Sequence, residues 1–212
     1  MRVVDVPCID SPEVPAWLPE ALVAEAAVAE APALVCLRPG GRFEEQLYAL
    51  PALPESGPRL REGGVVLITG GTGGLGLLFA GVLFEQCRAR LALTARWTPP
   101  PEDAWPERAR HGDRIGQALA GVLELRARGA EVMIVTADAS DRADVARAIE
   151  ATKARYGGLH GVIHAAGALK PTPVVEKTRE SAAHVFGPKV HGAFHVDELV
   201  ADLPLDLYMP IS

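Results

Sequence analysis

The spacing of hydrophobic and polar positions changes period several times along the chain, and each change marks an element. Val65-Val66-Leu67-Ile68-Thr69 is an unbroken, mostly β-branched run, the pattern of a strand buried on both faces. Behind it, Leu75, Leu78, Phe79, Val82 and Leu83 recur at i, i+3, i+4, i+7 and i+8. That spacing predicts a helix with this stripe turned inward. Residues 91–94 predict a second strand, 113–128 a helix closed by Gly129, and 131–136 a third strand. Residues 141–156 predict a helix with Val145, Ala148 and Ile149 inward, closed by Gly157-Gly158. Residues 161–163 read as a fourth strand. Residues 188–201 read as a helix with Pro188 in its first turn, where a missing N–H is tolerated. Residues 205–211 read as a fifth strand, with Pro210 marking a bulge or the strand end. Alternation of this kind predicts an α/β fold, a Rossmann-like doubly wound parallel sheet of five strands.

The first part of the chain is different in character. Nine of the 18 prolines precede residue 62. A short strand is expected at 3–6 and an alanine-rich helix at 16–30. Strand-like runs at 33–37 and 43–49 flank the turn signal Pro39-Gly40-Gly41. Residues 51–62 read as a linker, so the expected organisation is a small appendage, 1–62, followed by a nucleotide-binding unit, 63–212. A stretch rich in proline and charge, 97–112, is inserted after the second strand, and no internal repeat is visible.

Composition narrows the functional classes. The 212 residues are 49% hydrophobic and 23% charged, which is ordinary for a globular protein and excludes wholesale disorder. A formal net charge of −6 argues against a general nucleic-acid surface, and 5% aromatics argue against base-stacking platforms. Cys8, Cys36 and Cys87 are scattered without a C-x-x-C, so neither a metal site nor a disulfide framework is expected. Asp5, Asp10 and Glu13 interrupt any secretory leader, and the apolar run near 63–83 is too rich in glycine and threonine for a membrane span. A cytoplasmic location is the expectation.

The candidate chemistry lies where predicted strands end. Thr69-Gly70-Gly71-Thr72-Gly73-Gly74-Leu75-Gly76 falls between a strand and a helix. Glycines there let the backbone approach a pyrophosphate, and a helix N-terminus offers it free N–H groups. The competing reading is a tight structural turn. After the second strand, where an NAD site would carry an acid, stands Arg96, which suits a 2′-phosphate and so favours NADP(H). The competing reading is a solvated arginine. Asp138, in Ala137-Asp138-Ala139, would accept from an adenine amino group or serve as a helix N-terminal acid. In His164-Ala165-Ala166-Gly167 the small residues would admit a nicotinamide ribose. His164 is given no proton-transfer role.

With these motifs the chain resembles the ketoreductase domain of a modular type I polyketide synthase, a branch of the short-chain dehydrogenase/reductases. The resemblance continues through Asp138-Ala139-Ser140-Asp141 and Pro188-Lys189-Val190-His191-Gly192-Ala193 to Leu205-Asp206-Leu207-Tyr208. It implies a pyrophosphate on Gly70, Thr72, Gly73, Gly74 and Leu75, with Thr69, Gly71 and Gly76 in the same loop. It further implies a 2′-phosphate on Arg96, adenine against Asp138 and Ala139, and a nicotinamide ribose along Ala165, Ala166 and Gly167. Lys189 matches the catalytic-site lysine, whose cation would contact the ribose hydroxyls and depress the pKa of a catalytic tyrosine. The appendage resembles the end of the family's structural subdomain.

On this resemblance the chain is the NADPH-binding part of a reductase acting on the β-keto group of an acyl chain held by a carrier protein's phosphopantetheine. Other domains of a synthase module would be its partners. The family's catalytic serine and tyrosine have no match: Ser212 aligns with the first of the usual serine pair, and Tyr48, Tyr156 and Tyr208 lie in other elements. The chain by itself is therefore expected to be inactive. A non-catalytic structural module, or one half of a split ketoreductase, are the alternatives. Ala168-Leu169-Lys170-Pro171 also lacks the Leu-Asp-Asp motif of one stereochemical class.

Overall fold

In the computed structural model the described residues are 3–6, 15–30, 32–46, 48–49, 60–169 and 171–211. Cys8, Lys170, Ser212 and most of the expected 51–62 linker lie outside them. The chain divides into two compact units, Met1–Glu55 and Ser56–Ser212.

In the smaller unit, β1 (Val3–Asp5) runs parallel to β2 (Leu34–Arg38), and β3 (Gly41–Glu44) returns antiparallel through the turn at Pro39-Gly40. Helix α1 (Leu18–Ala26) is shorter than the 16–30 expected. Leu18, Val35 and Leu37 form its small core, with Val4, Trp17 and Ala21 packed against them. Buried Glu25 is held by Arg42 from β3.

The larger unit carries the parallel sheet. Its strands are β4 (Val65–Thr69), β5 (Arg90–Ala95), β6 (Val132–Thr136), β7 (Gly161–His164) and β8 (Leu207–Pro210), in the order β6-β5-β4-β7-β8. All pairings are parallel, with Ile68 opposite both Leu93 and Ile163. Alternate side chains of the strands feed two cores. Val66, Ile68, Leu91, Leu93 and Ile163 meet α2 (Gly74–Cys87), α3 (Trp105–Arg108) and α4 (Arg114–Ala127) on one face. Val65, Leu67, Ala92 and Val162 meet α5 (Arg142–Tyr156) and α7 (Gly192–Val200) on the other. Helices on both faces explain why β4 reads as a continuous apolar run. The fold is the expected Rossmann-like doubly wound sheet. Among the described residues no helix is long and apolar enough to cross a membrane.

Two expectations are corrected. The stripe assigned to the inner face of α2 is inward only in part, at Phe79 and Leu83. Leu75, Leu78 and Val82 are exposed, Leu78 to 61%, whereas Gly76, Ala80, Leu83, Phe84 and Cys87 are buried. The smallest residues decide the phase: a Cβ on Gly76 would lie 2.5 Å from Gly71 Cα, so only this face can come so close to the loop after β4.

The helix expected to begin at Pro188 begins nine residues earlier. Thr178 and Ser181 form a capping box at the start of α6 (Arg179–Phe186), and α6 runs through a π turn, Gly187–His191, into α7. Proline lacks the N–H of a helix interior, and its ring strikes the carbonyl four residues back. A π turn, closed by Gly192 N–H on the Gly187 carbonyl, is the local geometry in which Pro188 is carried.

The insertion is itself packed. Trp105 is buried, its Nε1–H donates to the Pro100 carbonyl at 2.9 Å, and the Arg126 guanidinium stacks over its ring. Pro210 ends β8. Ile211 N–H donates to the His164 carbonyl at 2.9 Å, so the nitrogen of Pro210 points away from β7 and no bond of the β7–β8 ladder is lost.

Among the described residues β8 pairs with β7, and its entry is tied down by Asp206. Both carboxylate oxygens accept from Arg61, at 2.7 and 2.6 Å. The Arg61 guanidinium holds the Asp206 carboxyl at about 2, below its ordinary 3.8. A lowered carboxylate pKa contributes stability above the unfolded value, and that contribution is lost as pH falls through the folded one. Asp206→Asn should therefore melt below the parent at pH 7 and converge with it near pH 2. Parallel melting curves across that range would show that the pair adds nothing.

Candidate functional site

At the carboxyl end of β4 the chain turns sharply. Gly70 adopts φ +63°, and a Cβ there would lie 2.8 Å from Ala166 Cα. Only glycine satisfies both conditions at little cost. Gly70 N–H donates to Thr94 Oγ1 at the end of β5 (2.9 Å), and Gly73 N–H closes back on the Gly70 carbonyl (3.0 Å). Helix α2 then starts at Gly74 with Gly73 as its N-cap and no side chain on its free N–H groups. The contrast with α4, α5 and α6 is clear, since Asp113, Asp141 and Thr178 cap those helices. The first turn of α2 is left with donors and a positive dipole end facing open space.

The opening lies where strand order reverses. β4, β5 and β6 progress to one side, and β7 returns to the other side of β4. Open α/β sheets bind ligands outside the strand ends at such a point. A cleft of about 570 Å³ occupies it. Of the residues predicted from sequence, it brings together Gly70, Thr72, Gly73, Gly74, Leu75, Gly76, Arg96, Asp138, Ala139, Ala165, Ala166, Gly167 and Lys189.

Thr69 and Gly71 do not line it. The Thr69 side chain is buried against His164, and Gly71 packs so closely on β5 that a Cβ would lie 2.8 Å from Leu93 Cβ. Their place in the loop is structural.

The charges at the rim differ in their pairing. Arg96, just past β5, lines the cleft, and among the described residues no acid pairs with it. The Asp138 Oδ1 accepts from Ser140 N–H at 2.8 Å, while its own N–H donates to Asp144. The acid at the N-cap of α5 is Asp141, which accepts from Ala143 and Asp144 N–H. Lys189 reaches the cleft from the π turn, its Cε 3.4 Å from where a Cβ on Gly167 would stand.

The cleft also contains residues that the sequence reading missed: Thr94, Trp97, Arg114, Leu169 and Pro188. Arg114 had a readable signal. It follows the N-cap Asp113, so it opens a helix at the same end of the sheet as the glycine loop. Thr94 carried none, because only the fold turns its hydroxyl to Gly70.

Among the described residues no phenol lines the cleft. Tyr156 Oη donates to the Leu91 carbonyl at 3.4 Å and Tyr208 Oη to the Ala193 carbonyl at 3.3 Å. Burial pushes both phenol pKa values up. The arrangement can bind a phosphate-bearing dinucleotide and places three cations, Arg96, Arg114 and Lys189, along the cleft.

The chain is similar to known proteins. The KR domain family matches residues 64–212. Polyketide synthase PksN of Bacillus subtilis is 32% identical over 152 residues, 72% of this chain and 2% of that protein. Polyketide synthase ThaG of Burkholderia thailandensis is 33% identical over 209 residues, 97% of this chain and 3% of that protein. The crystal structure of a ketoreductase domain from the bacillaene assembly line superposes with a TM-score of 0.67 at 32% identity, covering 98% of this chain and 45% of that one. The chain thus spans a few per cent of the length of these curated relatives.

A Cβ on Gly74 would meet nothing within 4 Å, so it would project into the space in front of α2. Gly74→Val should abolish binding of a pyrophosphate-bearing dinucleotide while changing stability by no more than about 1 kcal/mol. Calorimetry with a thermal melt measures both, and retained binding would put the pyrophosphate elsewhere.

Proposed function

The chain belongs to the KR-domain family of polyketide synthases, in the short-chain dehydrogenase/reductase superfamily, and from that premise we propose that it is the NADPH-binding part of a β-ketoacyl reductase. The observation that carries the cofactor choice is Arg96, a guanidinium with no acid partner among the described residues, in the cleft where an NAD site would carry an acid. The uncapped N-terminus of α2 and the Cβ-free approach at Gly74 suit a pyrophosphate.

Under this reading each residue has a distinct task. Thr72, Gly74 and Leu75 hold the pyrophosphate through free backbone N–H groups, while Gly70 and Gly73, whose N–H groups are used within the loop, let the backbone come close to it. Arg96 forks onto the 2′-phosphate. The second Asp138 oxygen accepts from adenine. Ala165, Ala166 and Gly167 leave room for the nicotinamide ribose, and the Lys189 ammonium donates to its hydroxyls. Bound there, NADPH would supply hydride. The substrate class is a β-ketoacyl chain on the phosphopantetheine of a carrier protein, and the other domains of a synthase module are the proposed partners, in the cytoplasm. Residues 1–62 are proposed to be the tail of the family's structural subdomain followed by a linker. The match to ThaG, which extends over 209 residues, supports that assignment.

The hydroxyl donors for the keto oxygen are proposed to come from outside these 212 residues. Lys189 alone is a poor substitute, because an ammonium of ordinary pKa near ~10.4 gives up its proton reluctantly to a ketone.

Two outcomes are expected. A charged, forked contact to phosphate is worth roughly 1.5–3 kcal/mol. Arg96→Ala should therefore weaken NADPH binding about tenfold or more and leave NADH nearly unchanged. Equal losses for the two would remove the 2′-phosphate assignment. The 212-residue chain should also bind NADPH without oxidising it in the presence of a decalone or a β-ketoacyl thioester. Absorbance at the reduced-nicotinamide band follows this, and steady turnover would overturn the assignment of the reacting groups.

A further inference from the structure

His164 ends β7 at 1% exposure, and no task above uses it. A buried imidazole needs a partner for each ring nitrogen. Nδ1 lies 2.7 Å from Thr69 Oγ1, and Nε2 lies 2.8 Å from the Pro188 carbonyl oxygen. A carbonyl only accepts, so Nε2 carries the proton. In the neutral ring Nδ1 then accepts, and the Thr69 hydroxyl donates to it. The Thr69 oxygen still has a lone pair for Ala166 N–H, at 3.3 Å. One tautomer satisfies every member of the chain. Burial, together with the nearby Lys189 cation, holds the ring pKa below its ordinary value and keeps it neutral.

The far end of this chain of bonds is the turn that carries Lys189. The Pro188 carbonyl and the Lys189 nitrogen belong to one planar peptide unit. Fixing the carbonyl therefore constrains how the Lys189 side chain leaves the helix. A π turn is rare and is found often at functional sites. Here the helix is drawn tight onto the ring: a Cβ on Gly192 would lie 3.0 Å from His164 Cε1 and 3.0 Å from the Ala139 carbonyl oxygen.

We propose that His164 is a positioning residue, tethering the Pro188 carbonyl to Thr69 at the end of β4 and thereby aiming Lys189 into the cleft. The proposal rests on the reading of Lys189 as a cofactor contact. A ring that merely filled the core would have no special coupling to Lys189.

The test is a double-variant cycle on the 212-residue chain, with NADPH binding measured by calorimetry and folding by circular dichroism. Lys189→Ala should weaken NADPH about tenfold, the cost of one charged hydrogen bond. His164→Leu should cause a comparable loss in a folded chain, and the double variant should bind no more weakly than Lys189→Ala alone. His164→Gln, whose amide can donate to the same carbonyl, should recover most of the affinity. Nitrogen-15 spectra should show His164 protonated at Nε2 alone at pH 7 to pH 8. Additive losses in the double variant would overturn the proposal and leave the Lys189 contact standing. Unchanged NADPH binding by Lys189→Ala would overturn that contact, and the proposal with it. If His164→Leu does not fold, the decision passes to the other two measurements. A glutamine variant as weak as Lys189→Ala, or a ring protonated at Nδ1, would overturn the proposal.

Discussion

Gly70 turns the chain at the end of β4 with a positive φ, and its α-carbon faces Ala166 with no room for a Cβ between them. This crowded junction sets the rest of the larger unit. It lets the loops after β4 and β7 meet at the point where strand order reverses. It turns the chain into α2 so that the helix starts over the open cleft rather than over the sheet. The contact of Gly71 with Gly76 then holds α2 close to β5 and decides which helix face is inward. The cleft is what remains in front of these closely packed backbones.

The larger unit is conventional where it only needs to be stable. β4 is fully buried between two helix layers, three helices have side-chain N-caps, and most of its arginines have a carboxylate, a carbonyl or an aromatic ring as partner. It departs from those habits around the cleft. There α2 begins without a side-chain cap, Arg96 has no acid partner among the described residues, and a helix opens into a π turn at the lysine. Departures from local rules that gather in one place are what a functional site produces, because groups committed to the fold are not free for a ligand.

Legibility followed the range of the forces involved. β4 and the β6 to α5 stretch were readable because burial on both faces, or on one helical stripe, writes itself into adjacent residues. The glycine loop was readable because its backbone geometry excludes other residues. Arg96 was readable because it stands directly after a strand. The face of α2 was not, since Leu75, Leu78 and Val82 outweigh Gly76 and Ala80 in any count of apolar residues. The start of α6 was missed because its capping box uses Ser181 where a longer glutamate or glutamine is the usual sign, and because Pro188 looked like a beginning.

By itself the sequence determined the fold class, the order of strands and helices and the loops that would gather at one end of the sheet. Each of those follows from the side-chain period and backbone freedom of neighbouring residues. The tertiary structure alone decided that Thr69 and Gly71 support the cleft rather than line it, that Thr94 and Trp97 belong to it, and that His164 ties β4 and β7 to the turn bearing Lys189. The reason is distance along the chain. Thr69 and His164 are 95 residues apart, and His164 and Pro188 are 24 apart. No local pattern records that three such residues will share one buried string of hydrogen bonds. Only the packing of the elements brings donor and acceptor within reach.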